Sequence, residues 1–285
     1  MSSAIDTVAN KTNRSPLPWA LWLRQIGAIF RFDLQKNFLG RRAILIYLLA
    51  LLPLFPLLVF AFVPREWKNF NNYSLIYSML YNGLILRTVV FFGCAWIFMN
   101  LFRGEIVDRS LHYYFLSAVR REVLVVGKYF SGLVTSIVLF TFTTVVAMLL
   151  LYFPSFTSQS MRYFTEGQGL TQILTYAGIT ILACVGYGAF FVVVGLFVRN
   201  PIIPAILLYG WEWLNFLLPP LLKKISVIHY LNSLVPIPVS EGPFAVIAEP
   251  TPAYIAVPSM LGVTLVVLVI AAYRIRHMEI RYGSD

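Results

Sequence analysis

The chain has 285 residues, 59% hydrophobic and only 12% charged, with a net charge of +10, whereas an ordinary soluble domain carries about 25% charged residues. A water-soluble fold could not cover that much apolar surface, so the composition excludes one. In a membrane protein the positive charge reads as topology and attraction to anionic lipid rather than as a nucleic-acid footprint.

The first 42 residues carry several charges and hold no short apolar core followed by a small-residue cleavage site, so no signal peptide is expected. Within them, Leu23, Ile26, Phe30, Leu34 and Phe38 recur every three or four residues, while Arg24, Arg31 and Gln35 fall on another face. This pattern predicts an amphipathic helix over about 19–38, lying in the membrane interface with Trp19 and Trp22 at headgroup depth. It serves either as a plain anchor or in transmitting force.

A helix crosses a bilayer with roughly 20 apolar residues. Six apolar runs approach or exceed that length, over about 43–63, 75–101, 129–153, 170–198, 202–218 and 254–273. Pro53 and Pro56 are expected to kink the first, and Arg87 and Glu212 are charges inside the second and fifth. Residues 1–42 then form a cytoplasmic N-terminus and 43–285 a single transmembrane domain.

Lys and Arg flanking a span resist translocation. One side holds Lys11, Arg14, Arg24, Arg31, Lys36, Arg41 and Arg42, then Arg103, Arg109, Arg120, Arg121 and Lys128, then Arg199, and finally Arg274, Arg276 and Arg281. The other holds Arg65, Lys68, Arg162, Lys223 and Lys224. The imbalance predicts a multi-pass protein of the cell (inner, cytoplasmic) membrane with both termini in the cytoplasm.

Between the second and third runs, Phe102 to Lys128 mixes acids, arginines and aromatics. It is too polar to enter a membrane and too apolar for a solvated linker. Glu105 and Arg109 pair at i and i+4, and Leu111, Tyr114, Phe115 and Ala118 share a helical face, a short amphipathic segment suited to a groove on another protein.

An unpaired charge at mid-bilayer costs at least about 2.5 kcal/mol. Counting 1.5 Å per residue, Arg87 lies about 18 Å from one face and Glu212 about 16 Å from the other, similar heights in a core about 30 Å thick. The two are expected to pair, as a structural brace more readily than as a substrate contact. Trp211, Trp213 and Asn215 beside Glu212 are candidate pathway residues.

Pro201 and Pro204 suit the first turn of the fifth run. Beyond Pro219 and Pro220 a proline-rich external stretch continues to about Pro252, with short helices expected over 221–234 and 244–248. Cys94 and Cys184 read as small apolar fillers, without a disulfide or metal.

The sequence resembles the membrane (permease) subunit of type-2 ATP-binding-cassette (ABC) exporters. The resemblance rests on Glu105, Ser110-Leu111, Tyr113-Tyr114-Phe115-Leu116, Arg120-Arg121 and Gly127-Lys128, and on the order of parts along the whole chain; a proline common near positions 118–119 in that family is missing here. The resemblance implies an all-α fold of six transmembrane helices, with a cytoplasmic coupling helix between spans two and three and short external helices before span six. It also implies that about Glu105 to Glu122 sits in a cleft of an ATPase, with Glu105, Asp108, Arg120 and Arg121 as polar contacts, and Arg109, Leu111, Tyr114, Phe115 and Glu122 in the same segment. The partners implied are an ABC ATPase subunit, a second membrane subunit (a copy or a relative) and membrane lipids, with no nucleic acid.

No phosphate-binding loop is present: the one Gly-Lys pair, Gly127-Lys128, is followed by Tyr129 and not by Ser or Thr. The expectation is therefore a non-enzymatic chain with no cofactor of its own, ATP and Mg²⁺ binding to the partner ATPase. His112, His229 and His277 lie in three separate regions without metal-ligand spacing. Two other readings remain at the level of sequence: a force-transmitting membrane subunit that passes no solute, and a self-contained secondary transporter, for which internal repeats are common but none is visible.

Overall fold

The computed structural model describes residues 19–41, 43–62, 72–107, 116, 119–152, 158–165, 167–198, 200, 202–224, 226–239 and 250–277. Among these the chain is mostly helical, with no strand.

Helix α1 (Trp19–Leu39) matches the expected amphipathic element, but its packed line is not the whole expected stripe. Ile29 and Asp33 are buried; Ile26, Phe30, Leu34 and Phe38 are half-buried, and Leu23 is exposed. Arg24 and Arg31 are exposed, while apolar Leu21, Phe32 and Leu39 are also left uncovered by the bundle.

The first apolar run divides into α2 (Ala43–Leu51) and α3 (Leu54–Ala61). The break falls at Leu52 and Pro53, since proline supplies no amide to continue the ladder. Pro56 sits in the first turn of α3, where amides have no intrahelical acceptor, and is tolerated there.

The second run is one continuous helical rod, α4 (Tyr73–Leu80), a π-helical stretch (Tyr81–Val90) and α5 (Phe91–Val107). It carries Arg87 in the π stretch and extends past the expected end to include Glu105. Helix α6 (Arg121–Tyr152) begins eight residues before the expected position 129, because Gly127 and Lys128 are internal to the helix rather than at its edge.

The short α7 (Ser158–Thr165) is followed by α8 (Gly169–Phe197), close to expectation. The fifth run, Ile202–Leu217, is 16 residues long. It consists of α9 (Ile202–Trp213) and a tight 3-10 turn (Leu214–Leu217) ahead of Pro219 and Pro220. Helices α10 (Pro220–Lys223) and α11 (Val227–Ser233) replace the single helix expected over 221–234, and the one expected over 244–248 lies outside the described residues. Helix α12 (Ala253–Arg276) completes the bundle.

Five helical stretches are long and apolar enough to cross a membrane: Ala43–Ala61, Tyr73–Ile106, Arg121–Tyr152, Gly169–Phe197 and Ala253–Arg276. At 1.5 Å per residue the 16-residue fifth run spans roughly 24 Å, short of a hydrocarbon core about 30 Å thick.

The second and fourth runs form the centre, with 67% of each apolar window buried against 22% for α12. Their axes approach closely because Gly195 has no side chain: a Cβ there would lie 3.1 Å from the backbone of Met99. At the end of the bundle away from α1, Tyr77 donates to the Thr144 carbonyl (2.8 Å) and Tyr81 to that of Tyr176 (3.2 Å). Ser74 joins Tyr152 and Tyr163 at 3.1 Å each, so hydroxyls brace the central rods where apolar packing alone is not directional.

Candidate functional site

A buried ion cluster joins three helices at the end of the bundle where α1 packs on α6. Lys128, in the second turn of α6, has a side chain with 0% exposure. Its Nζ donates to Glu105 Oε1 at 2.7 Å and Asp33 Oδ2 at 3.1 Å. The partly exposed Lys36 brings a second ammonium to within 3.8 Å of Glu105, so two positive and two negative charges meet. Phe102 lies under Lys128, its ring centroid 5.7 Å from Nζ.

The local sequence allows this meeting. Gly127 presents no side chain where α1 crosses; a Cβ there would sit 3.1 Å from Ile29 Cβ and Cγ2. The next residue, Lys128, is long enough to reach along the crossing to Asp33, four residues after Ile29 on the same face. Asn37 adds a bond to Thr135 Oγ1 at 3.5 Å. Burying a lysine without partners would cost several kcal/mol, and the two carboxylates compensate its charge directly.

Of the residues expected in the segment that meets an ATPase, Asp108, Arg109, Leu111, Tyr114 and Phe115 lie outside the described residues. Glu105 faces inward, in the cluster, and not outward as a docking contact. Arg120 stacks on Trp22 of α1, its guanidinium carbon 4.5 Å from the ring centroid. Arg121 donates to the carbonyl oxygens of Ile275 (3.4 Å) and Arg276 (3.0 Å), satisfying acceptors that the end of α12 leaves unpaired. Glu122 lies 3.9 Å from Arg276. Residues expected to bind a partner thus tie the segment to α1 and α12, while Leu116 in its middle is 81% exposed.

The two charges expected inside apolar runs, Arg87 and Glu212, occupy a second region. Glu212 is buried on α9 and accepts from Ser226 Oγ (2.7 Å), Val227 N (3.1 Å) and Ile228 N (2.9 Å). It caps α11, whose first amides have no acceptor within a seven-residue helix. Arg87 lies within electrostatic reach of Glu212, as does Tyr187. In the π stretch around Arg87, Thr88 Oγ1 donates to the Gly83 carbonyl at 3.3 Å.

A cavity of about 480 Å³ opens beside Arg87, lined among others by Met79, Asn82, Trp213, Phe216 and Asn232. Of the candidate pathway residues, Trp213 lines it; Asn215 is buried behind and Trp211 is half-buried, and neither lines it. Cys94 and Cys184, far apart in sequence, are free thiols that meet within hydrogen-bond reach between the second and fourth runs. His229 Nε2 lies 3.3 Å from Thr251 Oγ1 and His277 bonds the Tyr273 carbonyl, whereas His112 is outside the described residues.

Sequence reasoning singled out Glu105, Arg120 and Arg121 as contacts for a partner rather than for these intramolecular bonds, missed Asp33, and placed Lys128 at the edge of a span. Asp33 carried a signal: it is the one acid in α1 and falls on the line of Ile26 and Ile29. No protein-family model, curated protein or solved structure matches this chain.

Proposed function

We propose that the chain is the membrane subunit of an ATP-driven exporter, similar in plan to type-2 ABC permeases. A separate ATPase binds ATP and Mg²⁺ and pushes on the segment between Glu105 and Glu122. The observation that carries this reading is the Asp33–Lys128–Glu105 cluster. It fastens α1 and the two helices flanking that segment to one another by buried charge. Displacement of the segment therefore reaches three helices together, which a freely solvated loop would not require.

In this reading the chain crosses the inner membrane six times with both termini in the cytoplasm, as the distribution of Lys and Arg supports. The short fifth run crosses with local bilayer thinning, a modest cost. A second membrane subunit completes the route for the transported solute. The self-contained carrier fits less well: Glu212 is committed to Ser226, Val227 and Ile228, the arrangement of a brace rather than of a group that exchanges ions.

The test is purification of the chain with a co-expressed ABC ATPase, the two co-migrating and ATP hydrolysis depending on the membrane chain. In parallel, Leu116→Cys is expected to react with an impermeant maleimide in inside-out vesicles and not in intact cells. Labelling in intact cells, or ion-gradient-driven transport by the chain alone, would overturn the proposal.

A further inference from the structure

The chain has two cysteines, and the fold brings them to one place. Cys94 lies on α5 and Cys184 on α8, both free and both with 0% exposure, their thiols within hydrogen-bond reach. The register of the two helical rods accounts for the meeting. They run the same way, since the pairs Tyr81 with Thr180, Phe98 with Gly188 and Met99 with Gly195 ascend together. An added Cβ at Gly188 would lie 2.5 Å from the Phe98 ring, and Cys94 and Cys184 each precede that contact by one helical turn. Residues one turn back from a contact share its face, so the thiols meet again across the same seam.

We propose that Cys94 and Cys184 are a modification site, joined by a membrane-soluble two-electron oxidant into a disulfide that staples the second and fourth apolar runs at the centre of the bundle. Each thiol gives up its hydrogen as the S–S bond forms. The oxidant takes up the two electrons and the two protons, a quinone leaving as its quinol.

The surroundings select this product. Phe91 and Phe98 lie one turn to either side of Cys94, and the Phe91 ring meets that of Tyr187 at 5.3 Å, so the seam is walled by aromatic side chains. A disulfide carries no charge and needs no hydrogen-bond partner there. A sulfinate, a sulfonate or a soft cation held by two thiolates would place charge in the same apolar wall without compensation. Burial selects the oxidant as well. Thiols with no surface open to water are inert to charged, water-borne reagents, which leaves uncharged oxidants that dissolve in the membrane, the class to which quinones belong. The inference stands on this contact and does not depend on an ATPase partner.

The experiment uses the full chain, purified reduced in a neutral maltoside detergent and treated with diamide, an uncharged diazene whose N=N bond accepts two hydrogens to become a hydrazine. Denaturation in excess maleimide followed by intact-mass spectrometry counts the thiols that remain. The untreated chain is expected to take up two maleimides and the treated chain none, its mass lower by two hydrogens, with both thiols restored by a phosphine. Cys94→Ala and Cys184→Ala, each with one thiol left, are expected to form no disulfide within or between chains. Oxidised glutathione, charged and water-borne, is expected to act at least tenfold more slowly than diamide. The oxidised chain is expected to melt at a higher temperature than the reduced one, because the bond closes a long loop of the unfolded chain. Two thiols surviving diamide, a disulfide-linked dimer in place of the bond within one chain, glutathione as fast as diamide, or an oxidised chain that melts no higher than the reduced one each overturns the proposal.

Discussion

Lys128 donates to Glu105 across 2.7 Å, and the two are 23 residues apart in sequence. The polar, aromatic segment lies between them, so this bond closes the base of the segment as a clasp closes a loop. Asp33 completes the clasp from α1, 3.1 Å from the same ammonium.

Removing the ammonium leaves two carboxylates facing each other out of water. Breaking a buried ion pair by deleting one partner costs roughly 3–5 kcal/mol. Lys128→Met is therefore expected to lower the melting temperature in detergent markedly. Asp33→Asn, Glu105→Gln and Lys128→Met together are expected to recover most of the loss, since no buried charge of the cluster remains and the ammonium of Lys36 is partly exposed. If the single variant melts with the wild type, the cluster does not hold these helices.

A second prediction concerns the crossing that brings Lys128 to Asp33. Gly127→Ala places a methyl 3.1 Å from Ile29 Cβ and Cγ2, and overpacking of this kind costs roughly 1–3 kcal/mol. Ile29→Ala opens space on the facing helix. The double variant is expected to be more stable than the sum of the two single losses implies, measured by thermal unfolding in a double-mutant cycle. Strict additivity would mean that α1 does not cross α6 at Gly127.

Much of this architecture was legible in the sequence, and the losses have physical causes. The extent of α1 and the approximate limits of the apolar runs follow from periodicity and length. The start of α6 was misplaced because a lysine was read as a boundary, whereas partners 95 and 23 residues away make Lys128 an internal residue. Periodicity shows which face a residue occupies but not which distant side chain meets it. For the same reason Glu212 looked like a partner for Arg87 alone, while three of its hydrogen bonds go to Ser226, Val227 and Ile228. The π-helical stretch around Arg87 has no period that distinguishes it from the α-helix on either side.

Arg121 offers a test at the other edge of the segment. Its guanidinium satisfies the carbonyl oxygens of Ile275 and Arg276, a contact at a partly exposed helix end worth roughly 0.5–1 kcal/mol. Arg121→Ala is expected to leave the melting temperature nearly unchanged while raising amide hydrogen exchange in the last turn of α12. Unchanged exchange there would show that the cap carries no energy.

The last prediction distinguishes a cap from an ion pair at Glu212. Exchanging charges, as Arg87→Glu with Glu212→Arg, would restore a simple pair. Here it sets an arginine's donors against the amides of Val227 and Ile228 and the hydroxyl of Ser226, all of which need an acceptor. The exchanged protein is therefore expected to be no more stable than the worse single variant. Glu212→Gln keeps one acceptor oxygen and should lose less than Glu212→Leu, which strands the buried amide of Ile228 at roughly 1–3 kcal/mol and the half-buried amide of Val227 beside it. Ser226→Ala should lose least, because it removes one donor and leaves the carboxylate with two. The order Leu, Gln, Ala in decreasing damage, read from thermal unfolding, follows from capping and not from charge pairing, in which Gln and Leu would be alike.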